Sequence, residues 1–219
     1  MKKIFKFILL LSSLSLFSCG NKAIENRALT QNEWENLCNS YSNINFTLNI
    51  TVENSGSTIS TEYIMNGDNI KTVVLASVSG IKMNIEAYIT KESDNYYLIT
   101  QLDNKQWVKT STTKESYDDG RNPYSVYADK YECFTYDSEN KVYKQIKEIN
   151  IANQSDINSN TIITDGVLKP NDDRSRILSY EYNARNSNSD IKVHNVQALN
   201  YDDVPEIVLP QNISNASTL

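Results

Sequence analysis

A single histidine, His194, and three cysteines, Cys19, Cys38 and Cys133, are the side chains of this sequence with the strongest claim to covalent or metal chemistry. A Ser-His-Asp triad would have to use His194, yet no serine stands in the glycine-flanked elbow that presents a nucleophile. His194 instead alternates with Val193 and Asn195 in a predicted strand. Zinc takes several Cys or His ligands, and no cluster has the required spacing. The acidic pairs Asp118-Asp119, Asp172-Asp173 and Asp202-Asp203 fall in predicted loops, where solvated charge accounts for them better than weak calcium binding. No glycine-rich phosphate loop is present. The 14 tyrosines could form a stacking surface for a sugar or a peptide, although cross-strand aromatic pairing is the simpler account. The expectation is a protein that is not an enzyme and uses no metal or cofactor.

Cys19 has a different chemistry in prospect. It stands in "LFSCGNK", where an apolar run ends and a polar chain begins. Lys2, Lys3 and Lys6 precede Phe7 to Phe17, which is the order of an export signal: a positive stretch and then a greasy one. A membrane-spanning helix needs about 20 apolar residues, more than this run supplies. Leu16-Phe17-Ser18-Cys19 resembles a bacterial lipobox, in which a small residue precedes a cysteine that receives a diacylglyceryl group before cleavage in front of it. The resemblance implies residues 1–18 as a lipoprotein signal peptide, lipid attachment at Cys19, and a cell-envelope protein held to a membrane on its exported face. Residues 19–28 then read as a tether.

Charge removes another class of partner. The full chain has 21 basic and 27 acidic side chains. Three of the lysines lie in the leader, so the exported part keeps 18 basic against 27 acidic, a net charge of −9. Nucleic-acid binding calls for clustered Lys and Arg, and the charges here are acidic and interspersed. No Gly/Pro/Ser-rich linker divides the remainder, so residues 29–210 read as one domain and 211–219 as a C-terminal tail.

The elements that would hold any site are mostly strands. One helix comes first. Thr30 and Glu33 have the spacing of a capping box, and Trp34, Leu37, Cys38 and Tyr41 fall on one face behind them. The period then changes from 3.6 to 2: in "INFTLNITVE" the residues Ile44, Phe46, Leu48, Ile50 and Val52 alternate with polar ones. Turn signals at Ser55-Gly56, Asn66-Gly67, Ser79-Gly80, Asp94-Asn95 and Asp103-Asn104 divide six such strands, the fourth carrying Ile81, Met83 and Ile85. Residues 113–130 lack alternation; Asn122 before Pro123 predicts a short helix with Tyr124, Tyr127 and Tyr131 on its inner face. Further strands follow, with a hairpin expected on Asp165-Gly166 and a closing strand at Ile207 to Pro210. The expected fold is mainly β (α+β): a single curved antiparallel sheet of roughly nine to eleven strands with the N-terminal helix packed on it.

A lipidated N-terminus, one capped helix, a long meander with a helical interruption and the terminal "YDDVPEIVLP" are similar to the half-barrel lipoproteins of the LolA and LppX type. The resemblance spans roughly residues 30–210 and implies a curved sheet around helices, with a greasy space between them for acyl chains. It makes Phe46, Leu48, Ile50, Met83 and Ile85 candidates for lining a site for a lipid or other hydrophobic ligand. The same residues fit a plain core, in which case the protein is a structural or interaction lipoprotein without a cavity.

Once Cys19 is assigned to lipid, Cys38 and Cys133 remain as a disulfide candidate in an exported protein, or else as two buried thiols. A bond between them would close a loop of about 95 residues.

Overall fold

Thr30 opens the first helix. Its side chain accepts from the Glu33 N–H at 3.3 Å, and Glu33 Oε2 accepts from the Thr30 N–H at 2.7 Å. This is a full capping box, seen in a computed structural model that describes residues 26–54, 57–78, 81–103, 105–152 and 159–215. Helix α1 runs over Gln31–Asn39 and buries Trp34, Leu37 and Cys38; Tyr41, one turn beyond, is also buried. Apolar side chains at three- and four-residue spacing give the helix its single inward stripe.

Six strands follow: β1 (Phe46–Asn54), β2 (Ser57–Asn66), β3 (Asn69–Val78), β4 (Ile81–Glu92), β5 (Asn95–Gln101) and β6 (Trp107–Thr112). Each pairs antiparallel with the next. Strand pairing closes around the expected turns at 55–56 and 79–80, while two others lie one residue from where sequence puts them. Asn66 and Asn69 pair across Gly67 and Asp68, and φ is positive at Gly67, where the absence of a Cβ removes the strain. Likewise Glu92 and Asn95 pair across Ser93 and Asp94.

Helix α2 (Lys114–Arg121) and a 3-10 segment (Ser125–Cys133) interrupt the meander. The helix is capped by Thr113, whose side chain accepts from the Ser116 N–H at 3.1 Å. This corrects the reading of Asn122 as an N-cap: Asn122 is where α2 ends. Tyr124 and Tyr127 do turn inward, and Tyr131 packs against the same core.

Seven more strands complete the sheet: β7 (Phe134–Asp137), β8 (Val142–Gln145), β9 (Ile149–Ala152), β10 (Asn160–Pro170), β11 (Ile177–Asn186), β12 (Val193–Asn200) and β13 (Ser214–Asn215). The order across the sheet is β13-β6-β5-β4-β3-β2-β1-β12-β11-β10-β8-β7, with β9 also on β10. The result is one large, unclosed and mostly antiparallel sheet of 13 strands, more than the nine to eleven expected. The parallel ladder is β13 on β6.

Two further expectations are corrected. Asp165-Gly166 is not a hairpin: β10 runs through it as one strand, with a bulge between Thr164 and Val167 against β11. Positive φ at Asp165 serves a bulge as well as a turn, and a Cβ on Gly166 would stand 2.6 Å from Gln145 Oε1 and 2.8 Å from the Tyr180 hydroxyl. Nor does the segment from Ile207 to Pro210 form a strand. It crosses the sheet instead, with Ile207 buried against Ile64, Tyr88 and Ile99.

Strand alternation explains why two cores exist. The row Phe46, Met65, Ile70 and Ile89 is in register across β1–β4 and joins the main core with α1 and the 3-10 segment. The neighbouring row Ile64, Lys71, Tyr88 and Ile99 points to the opposite face and is covered by the C-terminal crossing segment through Val204, Ile207 and Leu209. A period of 2 sends adjacent residues to opposite faces, so both faces of this region require cover.

Candidate functional site

The candidate lining residues divide into two environments. Phe46 is 0% exposed and Leu48 is 3% exposed, both inside the main core. The Phe46 ring centroid lies 5.9 Å from that of Tyr41 and 6.2 Å from that of Tyr63. Ile50 is half-buried at the margin of this core. Met83 and Ile85 stand on the same side of the sheet, one strand-length away, and are 48% and 57% exposed. The register explains the separation: Ile85 pairs through Val74 and Thr61 to Ile50, so Ile50 is the last of the set that the helical layer reaches.

The core beside Phe46 is built from rings with polar tips, and most of these tips tie one element to another, although the buried Tyr180 hydroxyl has no hydrogen-bond partner among the described residues. Trp34 Nε1 donates to the Tyr127 carbonyl at 2.9 Å. The Tyr41 hydroxyl accepts from the Ile177 N–H at 2.7 Å, and the Tyr143 hydroxyl accepts from the Leu29 N–H at 2.7 Å. The Tyr124 hydroxyl donates to Gln197 Oε1 at 2.9 Å, and Gln197 Nε2 donates to the Tyr182 hydroxyl at 3.1 Å. Buried rings of this kind keep their bulk in the core while the polar atom finds a partner. Burial drives the Tyr124 and Tyr127 phenols well above their ordinary value, so they stay neutral and do not serve as acids or bases near neutral pH.

Cys38 and Cys133 are both buried free thiols in this structure. Burial pushes the Cys38 thiol up to about 12 and raises Cys133 as well, so neither is held as a reactive thiolate. His194 Nε2 is 3.4 Å from Glu181 Oε1, and its Nδ1 is 3.2 Å from Asn183 Oδ1, a half-buried pairing on the sheet with no serine in it. Among the described residues no group of three or more His, Cys, Asp or Glu side chains could hold a metal ion. Asp173 is drawn into its own turn, accepting from the Ser175 hydroxyl at 2.5 Å and the Ser175 N–H at 2.9 Å. Cys19 lies outside the described residues.

Two open depressions lie on the outer half of β1–β4. One of about 440 Å³ is lined by Leu75, Ala76, Met83 and Lys82 among others. Another of about 330 Å³ is lined by Asn49, Ile50, Thr51 and Leu75. Phe46 and Leu48 line neither. Sequence reasoning overlooked Leu75, 52% exposed, because it looks like one more member of an apolar strand; the signal was the run Val73-Val74-Leu75-Ala76, which supplies apolar side chains to both faces.

No protein-family model matches the chain, and no curated protein matches its sequence. The site must therefore be read from its own geometry.

Proposed function

We propose that this chain is an exported lipoprotein, tethered to a membrane through acyl groups on Cys19, whose domain is a half-barrel holding α1 on its inner side. It acts by non-covalent contact as a cell-envelope interaction protein. The observation that carries this reading is the burial of Phe46 and Leu48 among ordered rings, where an acyl chain would need open space. Catalysis finds no support in the phenols and thiols, which burial holds in their neutral forms. The leader and lipobox carry the tether, and the acidic surface argues against nucleic acid.

A second reading has one observation in its favour. Leu75 leaves apolar surface open beside a depression of about 440 Å³, on the face opposite Met83 and Ile85, so a hydrophobic ligand would meet the sheet there, on its outer half and away from the helical layer.

Two measurements test these readings on the full chain. Metabolic labelling with a fatty acid, followed by fractionation, should place the labelled wild type with membranes and leave Cys19→Ser unlabelled; a mature-sized Cys19→Ser chain still in the membrane fraction overturns the tether. Titration with a fluorescent acyl probe should give no saturable uptake, while Leu48→Trp loses roughly 1–3 kcal/mol of stability through overpacking. Stoichiometric probe binding that Leu48→Trp abolishes at little cost in stability would replace the interaction reading with a carrier.

A further inference from the structure

Strand β4 is longer on one side than its neighbour is on the other. It pairs with β3 over ten of its twelve residues, from Ile81 opposite Val78 to Thr90 opposite Asn69. On its other side β5 covers it only from Ala87 to Glu92. Among the described residues, Ile81 to Ile85 therefore form an open strand edge, and all five are exposed.

The direction of the unpaired backbone groups follows from the turn. Glu92 and Asn95 flank a two-residue turn and so form a hydrogen-bonded pair. Hydrogen-bonded and non-bonded pairs alternate along an antiparallel ladder, so even-numbered residues of β4 point their N–H and C=O toward the β5 side. Past the end of β5, the groups of Lys82 and Asn84 face open space. An edge of this kind is a template for another strand.

The side chains fit a second copy of the same edge. We propose that β4 pairs antiparallel with β4 of a second copy about a two-fold axis at Met83. In that register Lys82 of one copy faces Asn84 of the other, and the four outward backbone groups of each copy pair as two hydrogen-bonded sets. Ile81 faces Ile85 and Met83 faces Met83, so the apolar residues, 67%, 48% and 57% exposed for Ile81, Met83 and Ile85, form one continuous row on one face. On the other face Lys82, which has no ion-pair partner among the described residues, comes diagonal to Glu86 of the second copy. Glu86 already lies 2.9 Å from Lys71 and keeps a partly exposed carboxylate that can accept a second ammonium group. Shifting the axis by one residue, to Asn84, would require the position beside Glu86, where β5 ends. The free length of the edge thus selects the register, and the contact is isologous and closes as a dimer.

The test uses the full chain in mild detergent. Sedimentation should show a dimer that dissociates on dilution, and Met83→Cys should cross-link to a covalent dimer on mild oxidation, because non-bonded antiparallel pairs bring equivalent residues within disulfide reach. Val208→Cys, exposed on the crossing segment, should give at least tenfold less cross-linked dimer, as should the unmodified chain with its buried thiols. Asn84→Pro removes an N–H that no strand of its own copy uses, and Met83→Glu places like charges on the axis; both should shift the chain to monomer with an unchanged circular-dichroism spectrum. A monomer at all concentrations, with Met83→Cys no more cross-linked than Val208→Cys, overturns self-pairing. That outcome includes the case in which the edge is instead taken by a strand of another protein or by an apolar ligand.

Discussion

The indole N–H of Trp34 donates to the main-chain carbonyl of Tyr127 at 2.9 Å across 93 residues of sequence, fastening α1 to the 3-10 segment. The same ring lies 4.8 Å from Phe134 and 5.2 Å from Tyr143, centroid to centroid, so one side chain joins helix, 3-10 segment and sheet. Trp34→Ala should cost about 3–5 kcal/mol, from lost burial and the cavity left behind. Trp34→Phe keeps an aromatic ring but leaves the Tyr127 carbonyl without its donor and should cost about 1–3 kcal/mol. Urea denaturation of the two variants checks this; a Trp34→Phe chain as stable as wild type would refute the fastening role.

The start of α1 should give the protein a pH-dependent element. Two hydrogen bonds from Arg27, at 2.7 and 2.8 Å, together with the cap bonds from Thr30, hold the Glu33 carboxyl well below its ordinary value of 4.5. A depressed folded-state value stabilises the fold above the ordinary carboxylate range, and that contribution is lost as pH falls through the folded-state value. Glu33→Gln should therefore flatten the acid side of the stability profile and cost less at pH 2 than at pH 7, because the wild type has by then lost much of the same contribution. Thr30→Ala should cost about 1 kcal/mol at neutral pH. Melting curves from pH 2 to 7 measure both.

Cys38 and Cys133 should resist alkylation at pH 7 in the folded chain, since burial keeps both thiols protonated and covered. In denaturant without reductant both should label. Mass spectrometry that found them unlabelled until a reductant was added would establish a disulfide and contradict the free thiols.

Ile207 is the buried anchor of the segment that crosses the sheet, seated against Ile64, Tyr88 and Ile99. Ile207→Ala should destabilise by roughly 2 kcal/mol, and Ile207→Asp by more, because a carboxylate would enter an apolar contact. Both should raise the binding of a hydrophobic dye if the segment lifts and uncovers Tyr88 and Ile99. Unchanged dye binding with unchanged stability would mean that the segment is not a cover.

Local order along the chain was legible from sequence where one physical rule acts alone. The Thr30–Glu33 cap needs only four residues, and period-2 alternation marked β1 to β6 to within three positions, the widest miss being the end of β2 at Asn66. Asp165-Gly166 was misread because positive φ is shared by turns and bulges; what selects the bulge is β11 alongside, with Asp165 accepting from Asn183 Nδ2 at 3.0 Å. The run from Ile207 to Pro210 has strand-like composition, yet it forms no ladder within itself or with a neighbour, and burial on Tyr88 holds it in place instead.

For the candidate site, the sequence by itself determined which residues are apolar and which share a sheet face: Phe46, Leu48, Ile50, Met83 and Ile85 are on one side by parity alone. Tertiary structure decided which of them are covered. The helical layer is shorter than the strands, so Phe46 and Leu48 are enclosed by Tyr41, Tyr63 and their neighbours while Met83 and Ile85 extend past its edge. Alternation along a strand carries no record of how far another layer extends above it, because burial depends on contacts between residues distant in the chain. The same holds for the open edge of β4: its length was written in the sequence, but where β5 stops beside it is a fact of the assembled sheet.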